Sequence, residues 1–303
     1  MIRKVYKILN YLETKLSLIF FSQRIPLKYI LFNFIYKKLI LDISSSDEEI
    51  LKFHKSGFVK LKVNLQTEIK QFKDKLTLNK NELEAGKKRV NFELPEKDKL
   101  EFIKAIKYKL NPTIKKLESY FKCNVFISDA LPFRIYNLKN CNSTNEVYSN
   151  FYHQDGYIKI YNKIHVNLMD VGPEDGPLQI VPIENRSKFI KSFKYKDRNN
   201  YNSTGDENLI YKNIGKIGDC CLFSSSEVMH KAGVPMQYRD MLQLILITYP
   251  KNDYEKLFYN NEKKIFYPHN HINIQKVSKP TNLIKIFKTL IVLFKNKLLF
   301  SIE

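Results

Sequence analysis

"NFYHQDGY", residues 150–157, sets His153 and Asp155 one residue apart inside a run of aromatic and β-prone residues. In a strand, side chains alternate between faces, so these two point the same way, about 7 Å apart along the strand. A neutral imidazole nitrogen and a carboxylate on one face supply two of the three protein ligands of a common metal site. An H-x-D pair alone is a weak signal, because a surface strand with a polar face gives the same letters. A third ligand must come from elsewhere in the chain.

Outward from this pair the pattern is β. "NVFISDALPFRIYNL", "FYHQDGYIKIYNKIHVNLMDV", "GPLQIVP", "GDCCLFSS" and "MLQLILITYP" are short, β-branched and aromatic, with Gly, Pro, Asn and Asp between them. Spacing of this kind predicts a sandwich or jelly roll beginning near residue 123. A lysine-rich insert at 186–216 reads as a long surface loop. Ahead of the strands, "SSSDEEILKFHKSGFVKLK" (44–62) reads as a helix capped by Ser46, ended by Gly57 and followed by a strand. Residues 64–92 read as helix plus loop. Residues 96–121 have helical periodicity with an interruption expected near Pro112. Helices first and strands second predict helices packed outside a β core.

His230, in "SSSEVMHKAGVP", is the best third ligand, since it follows the β-like "GDCCLF" and has apolar neighbours. Two His and one carboxylate on one side of Fe(II) leave the opposite positions open for oxygen ligands and O2. Nine residues on, Arg239 heads "MLQLILITY". A guanidinium beside such a metal can clamp the far carboxylate of a small 2-oxo dicarboxylate through two parallel hydrogen bonds. The plainer reading of Arg239 is a surface salt bridge, with Asp240 the nearest candidate. Leu222, Phe223 and Val228 are expected to keep bulk water from the site.

Taken in order, "HQDG", "VNLMDVGPEDGPLQIVP", "GDCCLFSSSEVMHKAG" and Arg239 make the chain resemble the phytanoyl-CoA dioxygenase family over about residues 44–250. That family belongs to the Fe(II)/2-oxoglutarate-dependent oxygenases. The resemblance implies a mainly β fold with flanking helices and a double-stranded β-helix (jelly-roll, cupin-like) core. It implies that His153, Asp155 and His230 bind iron and that Arg239 binds the side carboxylate of 2-oxoglutarate. Gln154 matches the family's residue between the ligands and is expected to contact the cosubstrate; Arg134 and Tyr136 are further candidates for the pocket wall. The implied activity is a dioxygenase that hydroxylates a C–H bond of a small molecule, a lipid or a glycan-linked substrate, with O2 as cosubstrate. Asp155 favours hydroxylation, because halogenating relatives carry a small residue there. Two departures fall on the pocket rim and affect the substrate: "VPIENRSKF" replaces the family's Gly-Ser-His turn, and there is no Trp.

The remaining histidines have ordinary readings. His165 alternates with Ile164 and Val166 and is expected on the other side of the sheet, in a structural or substrate-facing place and not as a ligand. His54 lies on the early helix. His269 and His271 form an H-x-H pair with no carboxylate or thiol beside it and read as loop residues. Asn142, with Thr144 two residues on, begins an N-x-S/T match that a reduced protein would not use.

The chain has 303 residues, 44% hydrophobic and 13% aromatic, enough for a folded core. Lys plus Arg number 51 against 31 acidic residues, a net charge of +20. These basic residues are spread along the chain, and the joint excess of Lys, Asn, Ile, Tyr and Phe matches AT-rich coding. No nucleic-acid module is recognisable, so no nucleic-acid partner is expected. The four cysteines form no C-x-x-C pair and favour a reduced, cytoplasmic setting. Residues 1–41 read as two basic, apolar helices broken near Pro26, without the features of a signal peptide. No run of about 18 uncharged apolar residues supports a transmembrane helix. The tail "TNLIKIFKTLIVLFKNKLLF" (281–300) reads as an amphipathic helix that docks on the N-terminal helices or lies on a membrane surface. The expected organisation is thus terminal helices over 1–43, an oxygenase domain over 44–260 and an extension over 261–303. Two other functions fit the same sequence: a non-catalytic metal- or ligand-binding module on this fold, and a peripheral membrane protein that uses the basic terminal helices.

Overall fold

Asp47, rather than Ser46, caps the first helix of the domain. Its backbone is extended, and its Oδ1 accepts the Ile50 N–H at 3.1 Å. A carboxylate there satisfies an orphan donor and also favours the helix dipole. The computed structural model describes residues 47–250 except 122, 140–145 and 156–160, together with residues 12 and 16. The expected terminal helices, the H-x-H pair and Asn142 lie outside the described residues. No described helix is long and apolar enough to cross a membrane.

Helix α1 (Glu48–Ser56) ends at Gly57, whose φ of 76° is left-handed and whose N–H donates to Phe53 O at 2.8 Å. A Cβ at Gly57 would sit 2.5 Å from Val228 Cγ1, so only glycine lets the chain pass here. It then enters β1 (Phe58–Asn64). The lysine-rich stretch that follows holds more order than expected: α2 (Gln66–Lys73), β2 (Thr77–Leu78), α3 (Lys80–Glu84) and β3 (Arg89–Glu93). Helix α4 (Glu96–Phe121) runs through Pro112 without interruption. A proline in a helix forfeits one backbone hydrogen bond. Here Phe102, Ile106, Leu110, Thr113, Leu117, Tyr120 and Phe121 are buried along one face on both sides of it, and that packing carries the helix through.

The remaining strands are β4 (Cys123–Tyr136), β5 (Tyr161–Asn167), β6 (Gln179–Val181), β7 (Tyr211–Lys212), β8 (Asp219–Ser224), β9 (Met229–Lys231) and β10 (Tyr238–Pro250). They form two antiparallel sheets. The larger has the order β1-β8-β5-β10-β4-β3-β2 and the smaller β7-β6-β9. Along the chain, β5 lies in the larger sheet, β6 and β7 in the smaller, β8 in the larger, β9 in the smaller and β10 in the larger. This repeated alternation between two sheets is the winding of a double-stranded β-helix, the jelly roll expected from the sequence. β1 and β3 extend the larger sheet, so the β structure starts well before residue 123.

Two apolar layers fix the geometry. On the outer face of the larger sheet, Ile164, Val166, Leu222, Leu242 and Leu244 pack with Phe102, Ile106 and Leu110 of α4. Between the sheets, Phe58, Cys221 and Phe223 meet Ile180 and Val228. The insert at 186–216 is more than a surface loop. Helix α5 (Arg186–Ser192) buries Phe189, which packs with Phe193, Tyr152, Val181 and Met229 behind the strand pair that carries the histidines.

Candidate metal centre

His153 lies in an extended segment that meets β9, which carries His230. The two residues form an antiparallel bridge at the edge of the smaller sheet, next to β9. Each backbone N–H donates to the other's carbonyl, at 3.0 and 2.9 Å. Such hydrogen-bonded pairs bring the Cα atoms to about 5.5 Å, and the two imidazole ring centroids lie 4.4 Å apart. Two residues beyond His153, the Asp155 N–H donates to Ser225 O at 2.8 Å. This bond holds the H-x-D segment against the turn that leads into β9.

The ring nitrogens are sorted by backbone contacts. His153 Nδ1 lies 2.8 Å from Phe151 O, and His230 Nδ1 lies 3.2 Å from Val228 O. A carbonyl only accepts, so each Nδ1 is the donor in these contacts and each Nε2 is left to face the site. The Nε2 atoms turn toward the carboxylate: His153 Nε2 is 3.4 Å from Asp155 Oδ1, and His230 Nε2 is 3.6 Å from Asp155 Oδ2. One ligand atom from each of the three residues lies within 4.8 Å of the others. Donors about 2.1 Å from one ion at right angles are about 3.0 Å apart, so little movement separates this triad from a coordinated one. Both imidazoles are buried, and burial holds the His230 imidazole below its ordinary range, hence neutral and able to ligate. The donor set fits a divalent first-row metal ion.

Asp155 has a further partner. The Lys163 ammonium, on β5, donates to Asp155 Oδ2. Burial alone would raise the Asp155 pKa, but the Lys163 charge and the two imidazoles hold it well below the usual carboxylate range. The acid is therefore ionised throughout the physiological range.

The inner face of the larger sheet continues the site. Phe223 of β8 makes an edge contact with the His230 ring at 5.2 Å and with the His165 ring at 4.9 Å. His165 thus faces the smaller sheet, on the side of the His153–His230 pair and opposite Ile164 and Val166, as its alternation with them predicts. Its Nε2 meets Gln243 Oε1 across the β5–β10 pairing at 3.2 Å, and its Nδ1 is buried with no partner among the described residues. Burial, together with Lys163, Arg239 and His230, pushes its pKa well down. The His165–Gln243 pair gave no sequence signal, because a His on an alternating strand cannot be assigned a face before the register is known.

Arg239 is buried, with a relative exposure of 2%. It shares its face of β10 with Met241 and Gln243. Nη1 donates to Gly176 O, Nη2 lies 3.6 Å from Met241 Sδ, and Nε has no partner among the described residues. No carboxylate of the described residues forms an ion pair with it. Asp240 does not do so, because it points to the opposite face and is clamped by Arg134, whose Nε and Nη2 donate to its two oxygens at 2.6 and 2.7 Å. Arg134 therefore lies away from the pocket, against the sequence expectation. Burial lowers the Arg239 pKa to about 10, which leaves it charged at neutral pH. A buried cation with no ion pair of its own costs several kcal/mol, and Asp175 offsets this only through space, so the site is suited to an anion.

Gln154 lies between the ligands, but its amide is engaged. Nε2 donates to Glu227 O at 2.8 Å and to Ser226 O at 3.3 Å, which fastens the 225–228 turn. Leu222, Phe223 and Val228 are all fully buried. Phe223 and Val228 wall the site, whereas Leu222 faces the helical layer.

No protein-family model matches the chain, and no curated protein matches it. Solved structures similar to it include HygX from Streptomyces hygroscopicus with nickel, 2-oxoglutarate and hygromycin B bound. The identity is 11% and the TM-score 0.45, over 68% of this chain and 88% of that one. Another is SnoN, a non-haem α-ketoglutarate-dependent epimerase from nogalamycin biosynthesis, at 14% identity and a TM-score of 0.40, over 73% and 89% of the two chains. A third is EctD from S. alaskensis with 2-oxoglutarate and 5-hydroxyectoine, at 13% identity and a TM-score of 0.38, over 67% and 76%.

Proposed function

We propose that the protein is an Fe(II)/2-oxoglutarate-dependent oxygenase, similar to the phytanoyl-CoA dioxygenase family, that hydroxylates a C–H bond of a small molecule, a lipid or a glycan-linked substrate. One observation carries this reading. Two imidazole nitrogens and an ionised carboxylate converge, and Arg239, buried and without a carboxylate ion pair among the described residues, lies on the same inner face of the larger sheet as the His165–Gln243 pair beside them.

His153, Asp155 and His230 would hold the iron on one side. Arg239 would take the far carboxylate of 2-oxoglutarate, as its charge and burial require. When bound, iron and 2-oxoglutarate together supply the oxidising power for C–H hydroxylation with O2. The chain's own residues do the rest. Phe151 O and Val228 O hold the two Nδ1 protons, so the Nε2 atoms stay free. Gln154 steadies the turn ahead of β9. Phe223 and Val228 exclude water from the metal side.

The test is succinate formation from 2-oxoglutarate by the purified, iron-loaded protein, followed with and without candidate substrates. Iron-dependent succinate supports the reading. Failure to bind iron at all would overturn it. Binding of iron and 2-oxoglutarate without turnover would instead mark a non-catalytic binding module.

A further inference from the structure

Lys163 enters the site from β5, opposite Phe223 of β8, and reaches the carboxylate that the proposed function assigns to the metal. Its side chain is 12% exposed and that of Asp155 is 25% exposed, so water screens the pair weakly. We propose that Lys163 is a positioning residue for the metal: its ammonium keeps one oxygen of Asp155, leaves the other to the ion, and lends the centre a fixed positive charge that favours the reduced, divalent state.

The inference rests on the metal-centre reading and deepens it. A carboxylate has two oxygens and about four lone-pair positions, so an ammonium and a metal ion can share it. Of the two oxygens, Oδ2 receives the lysine and Oδ1 lies 3.4 Å from His153 Nε2. Ligation through Oδ1 alone leaves more of the metal's coordination positions to small molecules than bidentate ligation would.

Charge gives the second consequence its sign. A cation one carboxylate away from the metal repels it, and repels a trivalent ion more than a divalent one. Lys163 therefore raises the Fe(III)/Fe(II) potential and loosens the binding of any divalent ion. Nothing in an H-x-D pattern calls for a lysine eight residues on; only the β5 register brings it here.

The experiment compares the full-length wild type with Lys163→Met, Lys163→Gln and Lys163→Arg. Affinity for Co(II) is measured by chelator competition, and the Fe(III)/Fe(II) midpoint by mediated titration, both without 2-oxoglutarate. Lys163→Met and Lys163→Gln are expected to shift the midpoint to more negative potential. They are also expected to bind Co(II) more tightly, because the like charge that repels the ion is gone. Lys163→Arg keeps the charge and should stay close to wild type in both. The glutamine variant serves should the methionine one fail to fold. A midpoint that is unchanged or more positive in the uncharged variants, or a Co(II) affinity that is unchanged or weaker, overturns the role of Lys163 and leaves the metal centre standing. A wild type that takes up no Co(II) overturns the metal centre itself and this inference with it.

Discussion

His153 and His230 are joined twice through their backbones, each N–H to the other's carbonyl, while their side chains lean toward Asp155. The scaffold that pairs the two residues is thus independent of the imidazoles. Replacing either ring leaves the bridge in place and, in the proposed function, removes a ligand. His230→Ala and Asp155→Ala should fold, as judged by an unchanged far-UV circular dichroism spectrum. Both should lose at least tenfold in Co(II) affinity by chelator competition. A variant that binds Co(II) as the wild type does would remove that residue from the ligand set.

In the proposed function Arg239 bears on the cosubstrate alone. Its guanidinium lies on β10, against Gly176 O and Met241 Sδ. Arg239→Met should therefore bind Co(II) normally and lose 2-oxoglutarate, since a charge-assisted bidentate contact would be gone. Arg239→Lys should recover only part of the affinity, because an ammonium cannot reproduce the fork. Calorimetric titration of the Co(II)-loaded protein reads both. Wild-type affinity for 2-oxoglutarate in Arg239→Met would assign the buried guanidinium to another anion or to structure alone.

These two residue sets show how far the sequence could be read. His153, Asp155, His230 and Arg239 stand out by type and order, because metal and carboxylate chemistry accept few alternatives. The alternating apolar runs from residue 123 onward likewise announce a jelly roll. Other features depend on register or packing, which single residues do not encode. His165 faces the ligands because it pairs with Cys221 and Gln243. Arg134 turns away because Asp240 sits directly opposite it. β3 pairs with β4 only over Arg89–Asn91, and so short a strand inside a lysine-rich stretch leaves no periodic trace. Pro112 was a misleading signal: tertiary burial along one face outweighed its helix-breaking tendency.

Leu244 ties the fold to the site from behind. It is fully buried on the outer face of β10, in the cluster shared with α4. Leu244→Ala should destabilise the protein by about 2–5 kcal/mol, the lost burial plus the cavity left behind. Denaturant unfolding measures this, and Co(II) affinity of the folded fraction should not change, because the proposed ligands lie on the opposite side of the sheet. A loss below about 1 kcal/mol would mean that the helical layer is far looser than this packing implies.

Asp219 gives the acid limb of stability a specific source. It begins β8, where its carboxylate receives Lys60 Nζ at 2.7 Å, Asn64 Nδ2 at 2.9 Å and the Lys216 N–H at 3.0 Å. Burial works to raise its pKa, but these partners, Lys60 first, bring the net value below the ordinary one. A carboxylate with a depressed folded pKa stabilises the fold above its unfolded value, near 3.9, and loses that contribution as pH falls through the folded value. Asp219→Asn should therefore be less stable than wild type at pH 7, and the gap should narrow progressively once the pH falls below about 4. Urea unfolding at a series of pH values follows it. A gap of constant size from pH 7 down to the acid transition would show that Asp219 acts through shape and hydrogen bonding, with no contribution from its charge.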